Sequence, residues 1–224
     1  DRPTGQSLLQ VLDNETVADA LQESAPEVQT SMLAALEPER VADILEEMDP
    51  DDAADLLAGV SEDDRQNLLS LMEDEEASDV QKLLAYPEDS AGGLMTTEYA
   101  TIPAGLTVAG AVDYLRHSAE AQDDEALYAV HVVDERGQLL GVVPLRHLVM
   151  SPPDKPVAEV MDAHPVTVDP LTPQREVAHL VARYNLLAVP VIDETGVLHG
   201  IVTVDDAIDA IIPTVWKKRL PRFF

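Results

Sequence analysis

Cysteine is absent from the chain, so disulfides, thiolate metal sites and a thiol nucleophile are excluded together. Aromatic residues are scarce, with one Trp and two Phe. No apolar run reaches the roughly 18 to 20 residues that a membrane-crossing helix needs. Basic residues are few: 14 Lys and Arg stand against 43 Asp and Glu, a net charge of −29. A body so acidic repels phosphate backbones, so nucleic acid is not an expected partner, whereas cations are. Also missing are a phosphate-binding Gly-rich loop, a Gly-x-Ser-x-Gly elbow and paired histidines at helical spacing. The six histidines, at 117, 131, 147, 164, 179 and 199, are scattered and read as surface or packing residues. Nothing brings a nucleophile and a base to one pocket, and the expectation is a chain without catalytic activity. No apolar leader follows Asp1, which suits a cytoplasmic fragment or processed product rather than a secreted chain.

The chain does contain two internal repeats. Leu127-Tyr-Ala-Val-His-Val-Val-Asp-Glu-Arg-Gly-Gln-Leu-Leu-Gly-Val-Val returns 59 positions later as Leu186-Leu-Ala-Val-Pro-Val-Ile-Asp-Glu-Thr-Gly-Val-Leu-His-Gly-Ile-Val. Each copy has a β-type apolar run, an Asp-Glu-x-Gly turn and a second run, the pattern of a hairpin. Gly137 and Gly196 suit the positive φ of such a turn, and Gly141 and Gly200 mark close backbone approach. Upstream, Leu94-Met95-Thr96 corresponds to Val160-Met161-Asp162, and helical periodicity covers Thr107–His117 and Thr172–Asn185. The unit is therefore β-α-β-β-α, with residues 118–126 as extra length in the first copy.

Residues 1–90 repeat with a period of 24: Val17-Ala-Asp-Ala-Leu, Val41-Ala-Asp-Ile-Leu and Arg65-Gln-Asn-Leu-Leu fall in register. That period fits two short helices per repeat, stacked in a small superhelix. Asp49-Pro50-Asp51-Asp52 reads as a helix start with Asp49 as cap. This region holds 25 acidic against 4 basic residues, a net −21. Most of these carboxylates belong on a solvated face or in first helical turns. Asp51 and Asp55, four apart, share one helix face and are the best candidates for holding a cation.

The duplicated half, covering nearly all of residues 94–212, resembles a tandem pair of CBS domains. The string Tyr86-Pro-Glu-Asp-Ser-Ala-Gly-Gly-Leu-Met-Thr-Thr-Glu-Tyr99 closely resembles the junction in the cytosolic part of MgtE-type magnesium transporters. There an acidic helical N domain precedes two CBS domains. Read from the residues alone, the same string is a linker in which Gly92-Gly93 permits a tight turn. The resemblance implies an α+β multidomain chain: an N domain over 1–88, CBS domains over 89–152 and 153–212, and a basic-aromatic tail over 213–224. It further implies a cytosolic Mg²⁺ sensor, homodimeric through its CBS domains, in which bound Mg²⁺ holds a compact state linked to a closed pore. The helix faces near Thr107–Leu115 and Glu176–Val181 offer small and apolar residues for the dimer.

Carried over position by position, the family's Mg²⁺ ligands fall on Asp51, Asp55, Asp206 and the backbone of Gly93. Asp19 matches a family Glu, and Asp209 lies three residues beyond Asp206. Asn185 stands where the family has an acid, which weakens that site. CBS pairs also bind adenine nucleotides such as ATP through Gly-h-h-[Ser/Thr]-x-x-Asp. The second copy carries this pattern with Thr203 and Asp206, while the first has Pro144 and His147 at those places. Arg146 matches a phosphate-meeting residue, but Ala129 and Leu186 replace aromatic neighbours of the adenine pocket. The alternative reading is thus an adenine-nucleotide-responsive CBS module of a non-transport relative, and a third is a scaffold without a ligand. The family continues into a transmembrane pore domain. Here Trp216, Leu220, Phe223 and Phe224 interleave with four basic residues in a segment that could meet an anionic membrane surface.

Overall fold

A computed structural model describes residues 9, 11–22, 24–118 and 129–212. The added length at 119–126 and the tail at 213–224 lie outside the described residues. The chain divides into two compact units, one ending at Ala85 and one beginning at Tyr86.

The first unit contains α1 (Asn14–Gln22), α2 (Pro26–Leu33), α3 (Pro38–Glu46), α4 (Pro50–Ala58), α5 (Glu62–Leu69) and α6 (Asp74–Leu83). Helices α1, α3 and α5 begin at 14, 38 and 62, and α2, α4 and α6 at 26, 50 and 74, which is the 24-residue period with two helices per repeat. Packing runs between helices two places apart, α1 on α3, α3 on α5 and α4 on α6. The stripe so covered is apolar, with Val17, Leu21, Ile44, Leu45, Leu57, Val80 and Leu83 essentially excluded from solvent. Isolated helices this short are unstable in water, so the stacking holds them. Pro26, Pro38 and Pro50 occupy first-turn positions, where the missing N–H costs nothing. Asp49 sits at the cap position of α4 but does not cap it. Its Oδ2 instead accepts a 2.6 Å bond from the Gln22 amide, so it ties α1 to α4. Ser61 does cap, accepting from the Asp64 N–H at 3.2 Å.

The second unit holds both β-α-β-β-α copies. The first is β1 (Thr101–Pro103), α8 (Val108–Leu115), β2 (Val130–Val133), β3 (Leu139–Val143) and α9 (Leu145–Met150), preceded by a single turn α7 (Ala91–Leu94). The second is α10 (Gln174–Tyr184), β4 (Ala188–Ile192), β5 (Leu198–Thr203) and α11 (Val204–Asp209). Strand order is β1-β2-β3, with β1 parallel and β3 antiparallel to β2, and β4 pairs antiparallel with β5. In the second copy the counterpart of β1 is one parallel bridge, Val168 to Val191. Ile102, Val108, Ala111, Val130, Val132, Val143, Leu148 and Val157 form the core of the first copy.

The copies exchange their leading segments: Thr96 pairs with Ile201 of β5, and Asp162 pairs with Val142 of β3. This exchange explains the two strand glycines. A Cβ at Gly141 would lie 2.6 Å from the Asp162 carbonyl, and one at Gly200 would lie 2.6 Å from the Thr96 carbonyl. Gly137 and Gly196 turn the hairpins at φ 77° and 84°. Their tips also join the copies, since the Leu139 N–H donates to Gly196 O at 2.9 Å and the Leu198 N–H to Gly137 O at 3.0 Å.

Candidate functional site

In the first unit the candidate carboxylates sit on short helices whose apolar faces are spent on packing. Asp51 and Asp55 lie one turn apart on α4, whose buried side is Ala53, Ala54, Leu56 and Leu57. Asp51 is half-buried and Asp55 exposed. Asp19, on α1, is exposed beside the buried Val17, Ala18 and Leu21. The acids Glu62, Asp63 and Asp64 open α5, and Asp74, Glu75 and Glu76 open α6. Those six suit the positive end of a helix dipole, as expected for most of the acidity. The described basic side chains of the unit bond within it. Arg40 donates to Leu12 O and the Asn14 side chain, Arg65 to Leu57 O and Ala58 O at the end of α4, and Lys82 to Asp79.

In the second unit, Thr203 ends β5 and is the N-cap of α11, with no exposure to solvent. Its hydroxyl donates to Asp206 Oδ2 and accepts a long 3.5 Å bond from the Asp206 N–H. Asp206 is half-buried, with Asp209 three residues on along the same helix. The structure thus brings Thr203, Asp206 and Asp209 together at one helix. Arg146 lies exposed on α9 of the other copy, and α9 starts from Pro144 without a side-chain cap. The two copies therefore differ at equivalent helix starts, one built around a hydroxyl and a carboxylate and the other around neither. Among the described residues no three His, Asp or Glu side chains converge as a ready-made metal cage. Mg²⁺ does not require one, because it retains several waters and is commonly held by one or two carboxylates.

The Gly92-Gly93 pair is a correction to the linker reading. Neither residue adopts a positive φ, and both belong to α7. Gly92 is buried, a Cβ there would strike the Tyr86 ring at 2.5–2.9 Å, and at Gly93 one would strike Pro87 O at 2.4 Å. Close packing, not turning, requires glycine here. The Gly93 N–H donates to Ser90 O at 3.1 Å and to Ser90 Oγ at 3.3 Å.

Three further features escaped the sequence reading. Asn185 is the C-cap of α10 in the left-handed conformation (φ 52°, ψ 50°), which Asn tolerates better than other non-glycine residues. That backbone demand gives a physical reason for Asn at this place. Asp193 accepts from the Thr195 N–H and hydroxyl, from the Val197 N–H and from His199 at 3.0 Å. The Thr195 hydroxyl, followed by His199, holds its carboxyl far below the usual carboxylate range. Leu140 occupies the equivalent of His199 in the first copy, so only the second hairpin carries this pair. His131, on β2, is wholly buried with its ring edge-on to Tyr99 at 5.9 Å.

The family model for the MgtE intracellular N domain matches residues 2–89, and that for the CBS domain matches 91–153 and 157–213. The magnesium transporter MgtE of Thermus thermophilus is 47% identical over 133 residues, which are 59% of this chain and 29% of the relative. Its Bacillus subtilis counterpart is 44% identical over the same shares. The matched part is thus less than a third of these curated relatives' length. Among solved structures, the cytosolic domain of the Mg²⁺ channel MgtE in complex with ATP superposes with a TM-score of 0.88 at 41% identity, covering 94% of this chain and 86% of that one. The soluble part of a magnesium transporter gives 0.87 at 36%, covering 94% and 82%. Among the described residues no helix is long and apolar enough to cross a membrane.

Proposed function

Because the chain belongs to the MgtE magnesium-transporter family, matching its N domain and tandem CBS domains, we propose that it is a non-catalytic, cytosolic Mg²⁺-sensing region that governs a separate pore. One observation carries this reading. Carboxylates stand one helical turn apart in both units, Asp51 and Asp55 on α4 and Asp206 and Asp209 on α11, within a fold shared at 41% identity with the cytosolic domain of a Mg²⁺ channel. A divalent ion offsets the repulsion between two such negative surfaces, and its loss restores that repulsion. Asp19 and the Gly93 backbone are the remaining proposed ligands.

Millimolar MgCl₂ is expected to reduce the radius of gyration of the chain in small-angle scattering. Ca²⁺ should be less effective, because its larger coordination sphere suits a different geometry, and NaCl at equal ionic strength should not substitute. An unchanged radius of gyration would remove the sensing reading.

Adenine nucleotide is a second proposed ligand, supported by the Thr203–Asp206 arrangement at the start of α11 and by the ATP complex of the similar cytosolic domain. Arg146 would meet its phosphates. Separate calorimetric titrations with MgCl₂ and with ATP distinguish the two ligands.

We also propose a homodimer through the CBS unit, on a face shifted from the sequence expectation. Val108, Ala111 and Leu115 of α8, and Val177, Ala178 and Val181 of α10, are consumed by the unit's own core. Large apolar side chains remain exposed at Tyr114, Val149, Met150, Ile208 and Ile211. Those on α9 and α11 are the better candidates for a two-fold contact. Sedimentation should give about twice the 24.3 kDa chain mass, and Met150→Glu with Ile208→Glu should return it to the monomer. A wild-type monomer at high concentration with Mg²⁺ present would contradict this.

A further inference from the structure

The segment that joins the two units is built like the segment that joins the two CBS copies. At the second joint, the Val157 N–H donates to Leu106 O at 2.9 Å, and the Val108 N–H at the start of α8 donates to Lys155 O at 2.8 Å. At the first joint, the Ala91 N–H donates to Thr172 O at 2.7 Å, and the Gln174 N–H at the start of α10 donates to Asp89 O at 2.9 Å. Bridges Ser90–Pro173 and Thr107–Pro156 complete the correspondence. The first joint is further secured: the Gly92 N–H donates to Pro170 O at 2.8 Å, and the buried Ser90 hydroxyl donates to Pro87 O at 2.7 Å. The Tyr86 ring lies against Gly92, and downstream Thr96 pairs with β5.

Every partner of residues 89–96 named here that lies outside residues 86–98 belongs to the second CBS copy, although the segment precedes the first in sequence. On the other side, the Leu84 N–H donates to Val80 O and the Ala85 N–H to Lys82 O, which are the closing bonds of α6. Between these two fixed ends only the torsions of Ala85 and Tyr86 remain. Pro87 narrows them further, since it fixes its own φ and disfavours the helical region for Tyr86.

We infer that residues 87–94 form a strap fastened to the second CBS copy, that the swivel of the first unit is confined to the torsions of Ala85 and Tyr86, and that Gly92-Gly93 is not the hinge. Any reorientation of the first unit then pulls first on the 170–174 corner and the start of α10. That helix packs on α11, which carries Asp206. The location of the swivel stands on the hydrogen bonds alone, and only its regulatory consequence rests on the magnesium reading.

Amide hydrogen exchange on the whole chain tests this, in EDTA and in MgCl₂. The Ala91, Gly92 and Gln174 amides should be protected in both conditions, with rates differing by less than about threefold. Inserting two glycines between Ala85 and Tyr86 should leave that protection intact. The same insertion between Gly92 and Gly93, or Gly93→Ala with its clash against Pro87 O, should accelerate exchange at Ala91 and Gly92 by roughly tenfold or more. Loss of protection on Mg²⁺ removal, or an insertion at 92–93 that exchanges like wild type, would overturn the strap. Protected amides without any Mg²⁺-dependent change in scattering would leave the strap standing and remove the sensing reading.

Discussion

Asp51→Asn combined with Asp206→Asn should raise the MgCl₂ midpoint for compaction by roughly tenfold or more, about 1.4 kcal/mol per tenfold. The side-chain shape and one oxygen survive each change, so the fold should persist while a formal charge is lost from each unit. A unit charge about 4 Å from another is worth about 1 kcal/mol in bulk water and about 4 kcal/mol near a protein surface, and a divalent ion doubles the attraction. Even the lower figure, counted at two sites, exceeds the tenfold threshold. Generic screening makes a different prediction, because removing any two negative charges also lowers the repulsion that the ion must offset. Asp63→Asn with Glu75→Gln serves as the control, since both side chains are exposed in first helical turns. Asp64 is unsuitable for that role because it bonds to Ser61 at 2.6 Å. The readout is the scattering midpoint for the two double variants side by side. Equal midpoints would mean that a diffuse acidic surface, and no particular pair of carboxylates, responds to the ion.

The parts of this molecule that repeat were legible from sequence, because a repeat converts a weak local pattern into a tested one. The 24-residue period gave two short helices per repeat, which α1 through α6 follow, since the buried face must recur at the same phase to be covered by its neighbour. The glycines at 137, 141, 196 and 200 were readable for the same reason. Two demands, positive φ and a missing Cβ, recur at matched positions. What failed to show was whatever depends on a partner distant in sequence. Gly92-Gly93 looked like a turn because nothing nearby announces that the Tyr86 ring and Pro87 carbonyl fill the space where two Cβ atoms would be. Asp49 looked like a cap because its local context fits one, yet Gln22 takes its carboxylate. Asn185, which stands where the family has an acid, also occupies a left-handed C-cap that no local pattern announced. For the candidate ligands, spacing identified Asp51 with Asp55 on α4. The Thr203–Asp206 pattern was readable as a nucleotide-binding signature, while the cap that Thr203 makes for α11 and its hydroxyl–carboxylate bond emerged only from the fold.

His131 should make the second unit lose stability as pH falls from about 6.5 toward about 4. Its ring is wholly buried, with Nδ1 3.3 Å from Ala100 O and Nε2 without a hydrogen-bond partner. The Tyr99 ring packs edge-on against it, and the Tyr99 hydroxyl donates to Leu198 O of the second copy at 3.4 Å. Burial is the dominant cause that pushes the imidazole down to about 4, and the Ala100 carbonyl opposes it only in part. The unfolded chain would titrate near 6.5, so between these values the unfolded state binds the extra proton and is favoured by it. The stabilisation is complete above pH 6.5 and is lost as pH falls through that window. About 2 kcal/mol should be gone by pH 5 and roughly 3 kcal/mol below pH 4. The second CBS copy carries Pro190 at the equivalent strand position, so the fold itself does not demand an ionisable group there. His131→Phe would retain an aromatic edge for Tyr99 while removing the proton site. Exchange protection of the Val130 and Val132 amides should then change far less between pH 7.5 and pH 5 than in wild type. Subtracting the variant's profile cancels the intrinsic pH dependence of exchange and the contribution of carboxylates common to both proteins. Superimposable profiles would show that the folded ring takes up its proton as readily as the unfolded chain does, with water reaching Nε2 to carry the charge.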